Sequence, residues 1–108
     1  MNNIEQNALR IAELLGYKKV LDMYCKNGQS FHEHKIETFS SYNGLMPIVF
    51  ECKKTGKYEI RIIEDCVIFY IENVFSTRND IETSYDTEPE FIEAIQLACI
   101  KYLELKNA

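Results

Sequence analysis

The sequence lacks the features that identify a secreted, membrane or redox protein. No apolar run approaches the roughly 20 residues that cross a bilayer, and residues 1–6 lack the charged and apolar regions of a secretory leader. The four cysteines, Cys25, Cys52, Cys66 and Cys99, include no C-x-x-C pair, so we expect free thiols in a reducing compartment. These absences predict a soluble, cytoplasmic protein without a membrane partner.

Basic residues are also in the minority. The 108 residues include 12 Lys and Arg against 17 Asp and Glu, which gives a formal net charge of −5. Because a duplex-binding protein normally concentrates Lys and Arg on one face, this acidic balance predicts no nucleic-acid partner. The best candidates for a locally basic face are Lys53, Lys54, Lys57 and Arg61, although a solvated surface is the simpler interpretation of these charges.

Glycine and proline are scarce. The four glycines stand singly, and each is typical of a turn or a helix end, so the chain has no glycine-rich phosphate loop. Residues 1–108 have the length of a single α/β domain, which can bury enough apolar surface to fold without disulfides or metals. We therefore predict one domain that needs no cofactor.

The two ends of the chain carry helix patterns. Apolar residues recur at helical spacing over residues 4–15, and Gly16 follows where a helix commonly ends. Near the C-terminus, Thr87 and Glu90 form a capping box, which predicts a helix that runs to about residue 106.

The central stretch, residues 40–56, has two interpretations. Its β-branched and aromatic residues at 48–50 would suit a buried strand. A cap at Ser41 or Asn43 and a proline, Pro47, in the first turns favour a helix instead. Its buried face would then consist of Leu45, Ile48, Val49 and Cys52.

Strand patterns occupy the remaining segments. Period-two alternation followed by an apolar run predicts a β-hairpin over residues 57–72, whose second strand, 66–71, would be central and covered on both faces or nearly so. A turn signal at Asn27-Gly28 predicts a second hairpin within 18–39, and a third strand is expected within 80–85. The predicted fold is α+β, with three helices packed on a small, mostly antiparallel sheet as in an α/β/α sandwich.

Three blocks carry a family resemblance. They are Ile11-Ala12-Glu13-Leu14-Leu15-Gly16-Tyr17, the central Ser41-Tyr42-Asn43-Gly44-Leu45-Met46-Pro47-Ile48-Val49, and the amphipathic helix around residues 94–102. Together they resemble small phage and prophage proteins of the phage ABA sandwich type. The resemblance implies helices packed on a small sheet and a phage or prophage origin, hence a bacterial host cytosol. It implies no particular activity and no catalytic residue.

One constellation could carry chemistry. On a strand, His32 and His34 would lie on the same side with Cα atoms about 7 Å apart, a spacing that suits two ligands of one metal. Cys25 could be a third ligand, or a nucleophile with one of these histidines as its base. Two solvated histidines beside a partly buried thiol are the simpler interpretation, so we expect no metal site and no enzyme.

Two classes of function remain. The first is a non-catalytic accessory protein that binds a host protein, for example as an inhibitor of host defence. Its candidate surface is the acidic segment that includes Asp80, Glu82 and Asp86, although a solvated loop is the simpler interpretation.

The alternative is a sponge-like protein that binds a nucleotide or another small molecule. Its ligand would stack on aromatic side chains at a subunit interface, from the set Tyr17, Tyr24, Phe39 and Tyr42. Aromatic residues in such a position more commonly belong to a satellite core. Pairing of an exposed sheet edge would also make a homo-oligomer.

Overall fold

The computed structural model describes residues 3–20, 23–26, 29–32, 38–64, 66–71 and 81–108. Within these ranges the helices are α1 (Asn3–Leu14), α2 (Tyr42–Lys54) and α3 (Glu88–Lys106). The strands are β1 (Lys18–Val20), β2 (Met23–Lys26), β3 (Gln29–His32), β4 (Tyr58–Ile63), β5 (Cys66–Ile71) and β6 (Ile81–Ser84).

The strands form two antiparallel sheets. The first has the order β1-β2-β3 and the second the order β4-β5-β6. The β4–β5 pair is the hairpin predicted for residues 57–72, and β6 is the predicted third strand. The segment 18–39 was predicted as two strands around Asn27-Gly28; β2 and β3 flank that dipeptide, and β1 is an additional strand that the prediction missed.

Helices α2 and α3 pack on one face of the β4-β5-β6 sheet, and α1 packs against α3. The sheet contributes Ile60, Val67 and Phe69 to a core that also contains the buried side chains of α2 and α3. The α+β prediction is therefore confirmed: three helices pack with a small three-stranded antiparallel sheet.

The central strand β5 is covered unequally. Val67 and Phe69 are buried against the helices, whereas Ile68 and Tyr70, which alternate with them, are half-buried. The prediction that both faces of this strand are nearly covered therefore holds for the helix-facing side only.

Helices α1 and α3 run parallel to each other. Asn3 Nδ2 donates to Glu93 Oε1 at 3.3 Å near the start of both helices, and Asn107 Nδ2 donates to the carbonyl oxygen of Leu14 at 2.8 Å near their ends. Between these contacts the buried amide of Gln96 donates to the carbonyl oxygen of Ile4 at 2.9 Å.

Local signals explain where α2 and α3 begin. The side chain of Ser41 accepts from the backbone N–H of Gly44 at 3.2 Å, which makes Ser41 the N-cap of α2. At α3, Thr87 accepts from the N–H of Glu90, and the Glu90 carboxylate accepts from the N–H of Thr87, so the capping box is present as predicted. The central stretch is therefore a helix and not a strand.

The turn that precedes α2 lies so close to it that a side chain at Gly44 has no room. A Cβ atom at this position would overlap the backbone carbonyl of Thr38. Ser41 joins the same two segments, because its hydroxyl also donates to the carbonyl oxygen of Thr38 at 3.2 Å. In the part of the chain that the structure describes, no helix is both long enough and apolar enough to span a bilayer.

Candidate functional site

Helix α2 has one buried face, and part of its outer surface is exposed in the described ranges of the chain. The buried face consists of the four residues predicted from helical spacing, Leu45, Ile48, Val49 and Cys52. These side chains face α3 and the sheet, and they hold α2 in a fixed position on the core. The opposite face is therefore presented on a rigid support.

Large apolar side chains lie on that outer face. Phe50 is 61% exposed and Tyr42 is 45% exposed, and Met46 between them is half-buried. Their spacing of i, i+4 and i+8 places the three side chains in a row along the helix, over about 12 Å of its length. The row ends at Lys53 and Lys54 in the last turn of the helix. We call these five residues the α2 surface.

The N-terminal end of the α2 surface is held by other aromatic rings. The Tyr42 ring lies 5.9 Å from that of Phe91 on α3, and the Phe91 ring lies 4.6 Å from that of Tyr85. The Tyr85 hydroxyl donates to the carbonyl oxygens of Ile63 at 2.8 Å and Glu64 at 3.0 Å. This row of rings connects α2 to the end of β4, so Tyr42 has a defined position.

The C-terminal end of the α2 surface is positively charged. Lys53 and Lys54 are exposed in the last turn, where cations interact favourably with the helix dipole, and the exposed Lys57 follows. None of these three lysines forms an ion pair with any residue in the described ranges. Arg61, the fourth residue of the predicted basic face, instead donates from Nε to Glu59 Oε1 at 3.1 Å and lies over the ring of Tyr70.

A polar network that reaches the surface joins α2 to α3. The Tyr102 hydroxyl donates to Glu51 Oε2 at 3.1 Å, and Lys106 Nζ donates to Glu51 Oε1 at 3.0 Å. Burial, and then the hydrogen bond to Glu51, raise the pKa of Tyr102 to about 12. Because Tyr102 is buried, this contact fixes the rotation of α2 about its own axis.

The core thiols are unsuited to nucleophilic chemistry. Burial raises the pKa of Cys52 to about 12, with smaller contributions from Glu51 and Glu59, and burial also raises the pKa of Cys99. The thiolate is the nucleophilic form of cysteine, and at neutral pH these two side chains are protonated. All four cysteines of the chain are free, and only Cys25 is not buried.

The predicted metal or Cys–His residues belong to the first sheet. Cys25 is half-buried on β2 and pairs in register with Ser30, whereas His32 on β3 pairs with Met23. His34 lies outside the described residues. Among the residues that are described, no group of three His, Cys, Asp or Glu side chains could hold a metal ion.

The predicted acidic surface is described only in part. Asp80 lies outside the described residues, and Glu82 is placed on β6 opposite Ile68 in the β5–β6 register. Asp86 is exposed just before α3, where its backbone N–H donates to Glu90 Oε2 at 2.8 Å.

The predicted ligand-binding aromatics lie in more than one environment. Tyr17 and Phe39 both pack against the small cluster of Ala8 and Ala12 on α1. Tyr42 belongs to the α2 surface, and Tyr24 is placed on β2 by its backbone. Tyr17 and Phe39 are thus brought together, as part of a satellite core.

Sequence reasoning missed Phe50 as an exposed apolar residue. The helical spacing that assigns positions 45, 48, 49 and 52 to the buried face also leaves Phe50 outside that face. An aromatic residue outside the apolar face of an amphipathic helix was the signal that could have identified this surface.

No protein-family model matches this chain, and neither a curated protein nor a solved structure is significantly similar to it.

Proposed function

We propose that this chain is a non-catalytic accessory protein that acts by binding another protein through the α2 surface. The observation that carries this proposal is the 61% exposure of Phe50 in the middle of a rigid, capped helix. Aromatic side chains are enriched at the centres of protein interfaces, where a few of them supply most of the binding energy.

The energetics favour a bound state for this side chain. Transfer of the exposed part of a Phe side chain out of water is favourable by about 1–2 kcal/mol. Tyr42 and Met46 extend the apolar area on the same side of the helix, and Tyr42 needs little reordering because Phe91 supports its ring. A preformed surface of this kind loses little conformational entropy on binding.

The charges beside Phe50 define the kind of partner. Lys53 and Lys54 border the apolar row and have no ion-pair partner among the described residues. A partner with an apolar groove bordered by acidic side chains would complement both features. The resemblance to phage ABA sandwich proteins supports a phage or prophage origin, so the partner is a host protein in the bacterial cytosol. Inhibition of a host defence protein by occlusion of its surface is the mode of action that fits such a chain.

Other functions have less support in the described side chains. A nucleotide sponge would use Tyr17, Tyr24, Phe39 and Tyr42, but two of these rings, Tyr17 and Phe39, pack on α1. A Cys–His enzyme would need Cys25 with His32 and His34. The structure does not describe the side chains of the two histidines.

The proposal can be tested by photo-crosslinking in a bacterial lysate. A photoreactive phenylalanine derivative replaces Phe50 in one variant and Leu97 in the control variant, because Leu97 is 40% exposed on another helix, α3. We expect one protein to be crosslinked at position 50 and not at position 97. With that partner purified, Phe50→Ser should weaken binding at least tenfold, whereas Leu97→Ser should leave it unchanged.

Two outcomes would contradict the proposal. Equal crosslinking at both positions would show that Phe50 does not mark an interface. Loss of binding in Asp86→Lys without loss in Phe50→Ser would move the interface to the acidic segment before α3. Circular dichroism and thermal unfolding of each variant would establish that the fold is retained.

A further inference from the structure

We propose that the free edge of β4 pairs with β4 of a second copy of this chain, so that the two three-stranded sheets join into one continuous antiparallel sheet. This pairing uses a part of the molecule other than the α2 surface. It therefore stands or falls independently of the function proposed above.

Among the strands that the structure describes, β4 lies at an edge of its sheet. In the order β4-β5-β6 it has β5 on one side only, and its six residues make it one of the two longest strands. In an antiparallel pair, every second residue directs its backbone N–H and C=O away from the partner strand. Among the described residues, no backbone group outside the ladder with β5 donates to this edge. An edge of this length readily accepts another strand.

The sequence of β4 is self-complementary in one register. It reads Tyr58-Glu59-Ile60-Arg61-Ile62-Ile63. Antiparallel pairing about a two-fold axis at Ile60 places Glu59 of each copy opposite Arg61 of the other, on both sides of the axis. Opposite charges at directly facing positions stabilise a pair of strands.

The two adjacent registers, in which the two-fold axis lies one residue earlier or later, are unfavourable. This difference favours the arrangement with the axis at Ile60. An axis at Arg61 places the two arginines opposite each other, and an axis at Glu59 does the same for the two glutamates. Like charges at facing positions destabilise strand pairing. The charged residues therefore favour the axis at Ile60 over the two adjacent registers.

The core faces of the two sheets match in this register. A two-fold axis perpendicular to the sheet keeps the same face up in both copies. Tyr58 then lies opposite Ile62 of the second copy and Ile60 opposite Ile60, and all three side chains are on the face that packs against the helices. The apolar layer continues across the junction.

Arg61 has capacity for a second carboxylate. Its Nε donates to Glu59 Oε1 at 3.1 Å within the same chain, and its side chain is 55% exposed. A guanidinium carries five N–H donors, so Glu59 of a second copy can be bound in addition. Tyr70 lies beneath the guanidinium, 4.7 Å from its carbon to the ring centroid, and helps to orient it at the sheet edge.

The decisive experiment uses two charge-reversed variants, Glu59→Arg and Arg61→Glu. Sedimentation velocity of the wild-type chain at about 50 μM should give the mass of a dimer. Each variant alone places only like charges opposite each other, so its dimer dissociation constant should rise at least thirtyfold. Mixed together, the variants restore both opposite-charge contacts, and we expect a heterodimer with an affinity within a few-fold of the wild type.

In the mixture, each variant still lacks the ion pair between positions 59 and 61 of its own chain. Recovery of the dimer would therefore result from contacts between chains and not from the contact within a chain. Arg10→Glu is the matched control: it removes a surface ion pair on α1 with Glu13 and should leave the dimer unchanged. A monomeric wild-type chain at this concentration overturns the proposal, as does a dimer that both variants keep or a mixture that stays monomeric. Phe50→Ser should not change the mass, which distinguishes this result from a failure of the α2 surface.

Discussion

Gln96 Nε2 donates a hydrogen bond of 2.7 Å to the carbonyl oxygen of Phe39, 57 positions away in the sequence. The same nitrogen donates to the carbonyl oxygen of Ile4 at 2.9 Å. The Gln96 side chain is completely buried. One amide on α3 therefore connects the start of α1 and the turn before α2 to the longest helix of the described chain.

Gln96→Glu should destabilise the fold strongly. The carboxylate would face two carbonyl oxygens without a donor, and an uncompensated buried charge lowers the free energy of unfolding by about 3–5 kcal/mol. Below the pKa of the new carboxyl the group can donate again, so the loss should be smaller at pH 5 than at pH 7. Urea denaturation at both pH values measures this difference. The neutral variant Gln96→Leu should lose only about 1–3 kcal/mol, without the pH dependence.

Gly44→Ala should be more damaging than Gly56→Ala. The new methyl group would collide with the Thr38 carbonyl, and overpacking of this kind lowers the free energy of unfolding by about 1–3 kcal/mol. Gly56→Ala is the matched control, because its φ of 71° is left-handed but no atom lies within 4 Å of the added carbon. That variant should lose about 1–2 kcal/mol from backbone strain alone. A lower thermal stability of Gly56→Ala than of Gly44→Ala would contradict the close approach between Gly44 and the Thr38 carbonyl.

The capping box of α3 should behave as a coupled pair. Thr87→Ala removes the acceptor for the N–H of Glu90, and loss of such a cap lowers the free energy of unfolding by about 1 kcal/mol. Glu90→Ala removes the acceptor for the N–H groups of Asp86 and Thr87. Because the two side chains cap one helix end, the free energy of unfolding should fall less in the double variant than the sum of its decreases in the two single variants. The control Glu88→Ala, in the same turn without a capping role, should lose only a few tenths of a kcal/mol.

The stability of the protein should decrease at alkaline pH. The pKa values of Cys52 and Tyr102 are raised from 9.0 and 10.0 in the ordinary case to about 12 in the folded chain. Between these limits the unfolded chain releases protons that the folded chain retains, so the free energy of unfolding falls by up to about 1.4 kcal/mol per pH unit and group. The stabilisation is complete below about pH 9 and is lost as the pH rises towards 12.

Denaturation curves from pH 8 to 11 measure this effect. Cys52→Ala should have a lower stability at pH 8 but a shallower decrease above pH 9, because the variant no longer has the buried thiol. Tyr102→Phe should reduce the slope above pH 10 in the same way. Equal slopes in the wild-type chain and both variants would show that neither group retains its proton on folding.

The features that sequence could predict are those with local causes. Ser41, Thr87 and Glu90 act on backbone groups within four residues of themselves, so the starts of α2 and α3 could be recognised without knowledge of the fold. The alternation in β4 and the apolar run of β5 likewise suffice to predict a hairpin.

Other features depend on residues far apart in the chain. Gln96 is polar yet completely buried. Its side-chain amide finds acceptors only because the carbonyl oxygens of Ile4 and Phe39 lie beside it in the fold. Strands β1 to β3 have only three or four residues each, too few for a periodic pattern to define their ends. The acidic surface was predicted from amino-acid composition, which does not report the exposure of a side chain. The exposed row that contains Phe50 was missed for that reason.

The parallel contact between α1 and α3 also determines the order of events during synthesis. The ribosome releases α1 first, but the helix against which it packs is some ninety positions later, as the Asn3–Glu93 contact shows. A nascent chain can therefore form the β4–β5 hairpin while α1 still lacks its partner. Contacts of such long sequence separation form late because closure of the intervening loop is unfavourable. Native packing of α1 must consequently wait until α3 has left the exit tunnel.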